Sequence, residues 1–202
     1  MTSIPQLRLA FFASRNGSAM RAIHSAISAD ELEASIGVVI SNNADALALT
    51  WARKQNLPAH HLSATKLGSP EALSEKTLEV LSDANITHIV LSGYMRKLSN
   101  QILKNYAGRI LNVHPSLLPA FGGKGMYGDY VHEAVLNAGV NESGATIHLV
   151  TEDYDEGPIL GQIRCEVLDT DDLKSLKSRV APIEATLYIS TLKQIEVNAT
   201  ST

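Results

Sequence analysis

Arg109-Ile-Leu-Asn-Val-His-Pro-Ser-Leu-Leu-Pro119 reads as a buried strand that stops at a proline. Ile110, Leu111 and Val113 are apolar, and two of them are β-branched. Pro115 cannot donate to a strand ladder and restricts the residue before it, so the strand ends near His114. Asn112 and His114 lie two residues apart, which places both side chains on one face of the strand. An amide and a titratable imidazole therefore sit side by side at a strand's C-terminal end, where open α/β sheets bind ligands. A core strand ending in a satisfied histidine fits the same eleven residues.

Upstream, short apolar runs alternate with helical patterns. Leu7-Arg-Leu-Ala-Phe-Phe-Ala13 suits a buried strand and runs into the turn Ser14-Arg-Asn-Gly-Ser18. Met20, Ile23, His24 and Ile27 then recur at helical spacing. Gly17 permits close backbone approach, and the N–H groups of a helix start favour an anion; a plain turn fits the same residues. Ile36-Gly-Val-Val-Ile40 is a second strand, followed by a helix over about 45–55. Ala59-His-His-Leu-Ser63 is a third, more polar strand. Its adjacent His60 and His61 point to opposite faces and make no natural metal pair. A helix over 71–83, the strand Thr87-His-Ile-Val-Leu-Ser92 and a helix over about 100–106 lead back to Arg109. This β-α alternation predicts a Rossmann-like, mostly parallel sheet with helices on both faces.

Downstream the pattern changes. Phe121-Gly-Gly-Lys-Gly-Met-Tyr-Gly128 holds four of the chain's 13 glycines. It suits a loop fitted round a ligand, or a surface loop. A helix over 132–136 follows. Then come two strands, Gly144-Ala-Thr-Ile-His-Leu-Val150 and Pro158-Ile-Leu-Gly-Gln-Ile-Arg-Cys-Glu-Val167, joined by the acidic stretch Thr151-Glu-Asp-Tyr-Asp-Glu-Gly157. So short a link predicts an antiparallel pair. A closing helix is expected from Asp171 to about Ile195, with Pro182 inside it and a frayed tail over 198–202. The whole is expected to be a single domain with its core at about 7–193.

Composition narrows the function classes. The 202 residues are 45% apolar and 19% charged, and net charge is −4 from 17 basic and 21 acidic residues. No dense Lys/Arg run appears, so no nucleic-acid partner is expected. Cys165 stands alone, which rules out a disulfide within the chain, and it reads as structural. Met1-Thr-Ser-Ile-Pro-Gln lacks a basic segment leading into a long apolar one, and no run reaches the length of a membrane span. A cytoplasmic protein with no membrane partner is expected. Oligomeric state stays open.

Four motifs taken together carry a resemblance: Asn16-Gly-Ser18, Gly93-Tyr-Met-Arg96, Asn112-Val-His-Pro-Ser-Leu-Leu-Pro119, and Gly144-Ala-Thr-Ile-His148 followed by Asp155-Glu-Gly-Pro158. The chain resembles the folate-dependent glycinamide ribonucleotide formyltransferases of purine synthesis. The third motif is similar to the broader formyltransferase fold, and the Asn-Gly-Ser turn narrows it to the ribonucleotide branch. The resemblance implies 10-formyltetrahydrofolate as co-substrate, glycinamide ribonucleotide as acceptor, and no metal. Asn112, His114 and Asp155 match the family's catalytic trio. Asn16, Gly17, Ser18 and Ala19 match its phosphate turn, and Glu184 falls where a carboxylate meets the substrate's amine end. Met95, Arg96, Lys97 and Leu98, with Asn112, match the folate-binding set. Three positions depart from the pattern. Ala19 stands where many members have asparagine, which leaves Arg15 or Lys124 to compensate. Pro70 falls near where some members direct an arginine at the folate. The loop from Gly122 to Gly128 resembles another branch of the family.

The implied chemistry suits these residues. Attack of a primary amine on the formyl carbon builds negative charge on its oxygen, and donors placed in advance stabilise it. The Asn112 amide and a His114 charged or ready to donate would serve, with Asp155 tuning His114 and relaying protons. His148 reads chiefly as a strand residue supporting the site. A hydrolase releasing formate from the same folate would need no phosphate turn. A tRNA-directed enzyme would want a further basic C-terminal domain, and a mere folate- or nucleotide-binding module would need no such trio.

Overall fold

The computed structural model describes residues 7–200, with side chains to 196. Residues 1–6, read above for a targeting signal, and residues 201 and 202 of the expected tail lie outside the described residues. The described residues form two compact units, residues 7–110 with 196–200, and Leu111–Ile195.

In the first unit the elements run β1 (Leu7–Phe12), α1 (Ser18–Ser28), β2 (Ala34–Ser41), α2 (Leu47–Lys54), β3 (Ala59–His61), α3 (Ala64–Leu67), α4 (Pro70–Asp83), β4 (His88–Leu91) and α5 (Asn100–Asn105). The strands lie in the order β3-β2-β1-β4, all parallel. Central β1 is apolar almost throughout because both its faces are covered: Leu7, Leu9, Ala10, Phe11 and Phe12 are all buried. Helix α1 turns Ala19, Met20, Ile23 and Ala26 inward, one stripe at helical spacing. Helix α4 starts where its residues dictate. The Ser69 hydroxyl accepts from Ala72 N–H, Pro70 occupies the first turn, and Glu71 meets the positive end of the helix dipole. The unit's last residues run beside β4, with Ile89 N–H donating to Arg109 O at 2.8 Å.

The second unit takes in β5 (Ile110–His114, from Leu111 on), α6 (Asp129–Asn137), β6 (Glu142–Leu149), β7 (Ile159–Glu166) and most of α7 (Leu173–Thr200). Its strands lie β5-β6-β7 and both pairings are antiparallel. The parallel order of β1–β4, the antiparallel β6–β7 pair and the closing helix all match the pattern of the sequence. Three local differences have local causes. Helix α3 was not expected, and its single turn is seated by the Ser63 hydroxyl accepting from Lys66 N–H. Strand β6 starts two residues before Gly144 because Glu142 and Ser143 pair with Glu166 and Cys165. Helix α7 contains Pro182 and continues to Thr200, so the loose tail expected from 198 is helical at its start.

Gly157 fixes the foot of the acidic loop. A Cβ there would lie 1.8 Å from Leu149 O, and Leu149 N–H donates to Pro158 O at 2.9 Å. The two backbones run closer than any side chain allows. Gly157→Ala is therefore expected to lower unfolding free energy in urea by more than about 3 kcal/mol, in the range of severe backbone clashes. Gly139→Ala, at φ 61 with open space around the added carbon, should cost only roughly 1–2 kcal/mol.

Candidate active site

The site grows from the antiparallel pairing of β5 with β6. Asn112 sits opposite His148, and His114 opposite Thr146. Directly opposed residues on one face bring their side chains together. Past His114 the chain turns, and a buried polar network locks the turn. The Thr146 hydroxyl donates to Ser116 O at 2.6 Å and accepts from Leu118 N–H at 3.0 Å and Gln162 Nε2 at 2.9 Å. All of that hydroxyl's bonding capacity is used. Gln162 also donates to Leu118 O, and Ser116 Oγ to Ala120 O. The 116–120 turn is thereby held to β6 and β7, and it delivers Phe121 beside His114.

His114 is 3% exposed. Its Nε2 lies 2.7 Å from the Phe121 carbonyl, which can only accept, so Nε2 carries a proton. Its Nδ1 faces Asp155 Oδ2 at 3.4 Å. Burial pushes His114 below its ordinary value, and the Asp155 carboxylate and the Phe121 carbonyl oppose this only in part. The free protein at neutral pH therefore holds a neutral His114 with Nε2–H as its donor. Of the two states considered from the sequence, charged or ready to donate, burial selects the second.

Asp155 stands at the tip of the acidic loop with φ 59, a left-handed conformation that aspartate tolerates better than most residues. Its Oδ2 accepts Gly123 N–H at 2.9 Å, and its Oδ1 lies 3.4 Å from His148 Nε2. Burial alone would push this carboxyl up. The hydrogen bond from His148, the nearby His114 and the Gly123 N–H together outweigh burial and hold it below its ordinary value. Asp155 is thus an anion shared by two imidazoles, and the glycine-rich loop is tied to it through a backbone N–H. The sequence-predicted trio of Asn112, His114 and Asp155 comes together in the second unit. His148 joins it more closely than its sequence suggested. The contacts from Phe121 O and Gly123 N–H were missed, because backbone groups of a glycine-rich loop leave no signature of their own. The register of β6 against β5 was the available signal for His148.

Glu184, on α7 in the same unit, is raised from 4.5 to about 7 by burial, against the opposing charge of Lys177. The remaining expected residues belong to the first unit. Gly17 caps α1 at φ 63 without a side-chain hydrogen bond, and a Cβ there would press on Met20 and Ala48. Asn16 and Ser18 are exposed, whereas Ala19 is buried and can present only its backbone. A cavity of about 520 Å³ is lined by Ser14, Arg15, Asn16 and residues 42–47. Buried Ser14 organises it: its hydroxyl donates to Asn42 Oδ1, its carbonyl accepts from Asn43 Nδ2, and Met95 N–H donates to its Oγ. The turn and the expected folate segment are therefore hydrogen-bonded together. Met95 is 48% exposed, Arg96 and Lys97 are exposed, and Leu98 is buried.

Residues 7–192 match the profile of the family described as formyl transferase. The chain belongs to that family. It is 34% identical to the phosphoribosylglycinamide formyltransferase of Escherichia coli (strain K12), over 87% of this chain and 80% of that protein. It is 36% identical to the chloroplastic enzyme of that name from Arabidopsis thaliana over 93% of this chain. The chain spans 65% of the length of that relative and 62% of the one from Vigna unguiculata. In structure the chain is similar to glycinamide ribonucleotide transformylase 1 from Symbiobacterium toebii, with TM-score 0.88 and 32% identity, over 95% of this chain and 88% of that one. A formyltetrahydrofolate deformylase from Pseudomonas syringae is also similar, with TM-score 0.84 and 25% identity, over 95% of this chain and 62% of that one. Among the described residues no helix is long and apolar enough to cross a membrane.

Two titrations check these electrostatics. In an NMR titration, His114 is expected to have its midpoint below 6.5, and lower still in Asp155→Asn, because that change removes a carboxylate that favours the imidazolium. Glu184 has a folded pKa above its unfolded one, so it withdraws stability as pH rises from 4.5 through about 7. Urea unfolding of Glu184→Gln should match the parent below pH 4.5. At pH 8 the variant should be more stable by roughly 3 kcal/mol, the free energy of such a shift.

Proposed function

We propose that the protein is a phosphoribosylglycinamide formyltransferase that moves a formyl group from 10-formyltetrahydrofolate to the primary amine of glycinamide ribonucleotide, a step of purine biosynthesis. The observation that carries the proposal is the convergence of Asp155, His114, His148 and Asn112 at the C-terminal end of β5. The names of the relatives at 34% and 36% identity support the same activity.

The chemistry follows from the donors present. The amine lone pair attacks the formyl carbon, and charge gathers on the formyl oxygen. His114 Nε2–H, which donates to Phe121 O in this structure, and the Asn112 amide are the donors for that oxygen. The formyl oxygen would take the acceptor position now filled by the Phe121 carbonyl. Each such donor supplies on the order of 3 kcal/mol to the transition state. The bond from the formyl carbon to the folate nitrogen then breaks. The attacking amine loses a proton and the departing nitrogen gains one, with Asp155, held as a carboxylate, as the relay, directly or through water. The substrate phosphate is assigned to Asn16, Gly17 and Ser18 with the backbone of Ala19, and Arg15 lines the adjoining cavity. Glu184 is assigned to the glycinamide amine end, and Met95–Leu98 with Asn112 to the folate.

The deformylase neighbour gives a second reading, in which water rather than an amine attacks the same formyl-folate. One assay separates the two: formyl-folate is followed by absorbance with and without glycinamide ribonucleotide. Ribonucleotide-dependent loss is expected, and loss at the same rate without it would mean hydrolysis. In the same assay His114→Ala and Asp155→Ala should each reduce turnover by about 10² or more. Unchanged turnover in either variant would remove that residue from the mechanism. Ser18→Ala, exposed at the start of α1, should raise the ribonucleotide KM several-fold by loss of one phosphate contact, roughly 1 kcal/mol, and leave the KM for formyl-folate unchanged.

A further inference from the structure

His148 is held by acceptors on both sides. Its Nδ1 lies 3.1 Å from Leu149 O, and its Nε2 lies 3.4 Å from Asp155 Oδ1 and 3.1 Å from the side-chain nitrogen of Asn112. These three contacts do not agree as they stand. For Asn112 nitrogen to donate, Nε2 must be bare, and its lone pair would then face the carboxylate. Oδ2 of that carboxylate already has the Gly123 N–H. Oδ1 faces His148 Nε2 at 3.4 Å. A carboxylate oxygen that faces a ring lone pair is repelled by it, whereas a ring N–H in the same place stabilises it. Nε2 must therefore carry a proton whether or not Nδ1 keeps its own.

The amide of asparagine is nearly isosteric on turning over, so the network decides which atom faces the ring. With Nε2 a donor, the Asn112 oxygen belongs opposite it and the NH2 group belongs on the other side. We infer that His148 is a positioning residue whose Nε2–H donates to both Asp155 Oδ1 and the Asn112 side-chain oxygen, which turns the Asn112 NH2 group away from the ring to serve as a donor to the formyl oxygen. This rests on the formyl-transfer proposal above. The register partnership of Asn112 with His148 makes the arrangement a property of the β5–β6 pairing. His148 is 2% exposed, so water does not compete freely for its Nε2–H.

Long-range ¹H–¹⁵N NMR of the intact protein without substrate reads the ring directly. A proton on His148 Nε2 at neutral pH is expected; a bare Nε2 with the proton on Nδ1 alone would overturn the inference. Steady-state kinetics gives the second reading. His148→Leu removes the donor and should lower kcat for ribonucleotide-dependent transfer by about 10–10²-fold, up to the loss seen when an oxyanion donor is deleted. The KM of each substrate should stay within about threefold. His148→Gln, whose side-chain nitrogen reaches nearly the same place as Nε2, should restore kcat to within about fivefold of the parent. If Gln is as impaired as Leu, or if Leu leaves kcat unchanged, His148 does not orient Asn112. If the parent protein shows no ribonucleotide-dependent transfer at all, the functional proposal fails instead, and the NMR result still decides the hydrogen-bond assignment.

Discussion

The Asp155 carboxylate is the interaction on which the polar cluster of the second unit depends. One anion meets two imidazoles and a backbone N–H, so four segments of chain are registered on a single group: the end of β5, the end of β6, the acidic loop and the glycine-rich loop. A carboxylate drawn partly out of water is unfavourable unless neighbouring donors replace the water it loses. That requirement makes the cluster demanding. Displacing any one segment leaves a charge or a polar group without its partner.

The backbone around Asp155 is shaped to meet this requirement. Gly157 lets the acidic loop leave β6 at a distance no side chain would tolerate, and Asp155 itself adopts a left-handed conformation. On the other side, Thr146 and Gln162 fix the turn after Pro115, and Phe121 follows at φ 57 with its carbonyl on His114. Rigid elements hold the polar groups and loops close over them, so the donors are placed before any substrate arrives. In the proposed reaction the formyl oxygen displaces the Phe121 carbonyl from an imidazole that is already oriented.

Burial and charge act against each other at each titrating group, and different terms win. At His114 burial prevails and leaves a neutral donor. At Asp155 the surrounding donors prevail and leave an anion. At Glu184 burial prevails again, and the carboxyl titrates near neutrality.

The sequence by itself determined the strand and helix order, because short continuous apolar runs and stripes at helical spacing are set locally. It also marked Asn112 and His114 as sharing a face, since side-chain alternation along a strand needs no tertiary information. The short link between 150 and 158 foretold the antiparallel β6–β7 pair. Tertiary structure alone decided that Asp155, forty-one residues beyond His114, reaches both imidazoles, because that depends on a close approach at Gly157 and on the register of β6. It also decided that His148 belongs to the cluster, that Phe121 and Gly123 contribute backbone groups, and that His114 is neutral. Burial and backbone hydrogen bonding are properties of packed chains, and the one-dimensional pattern records neither.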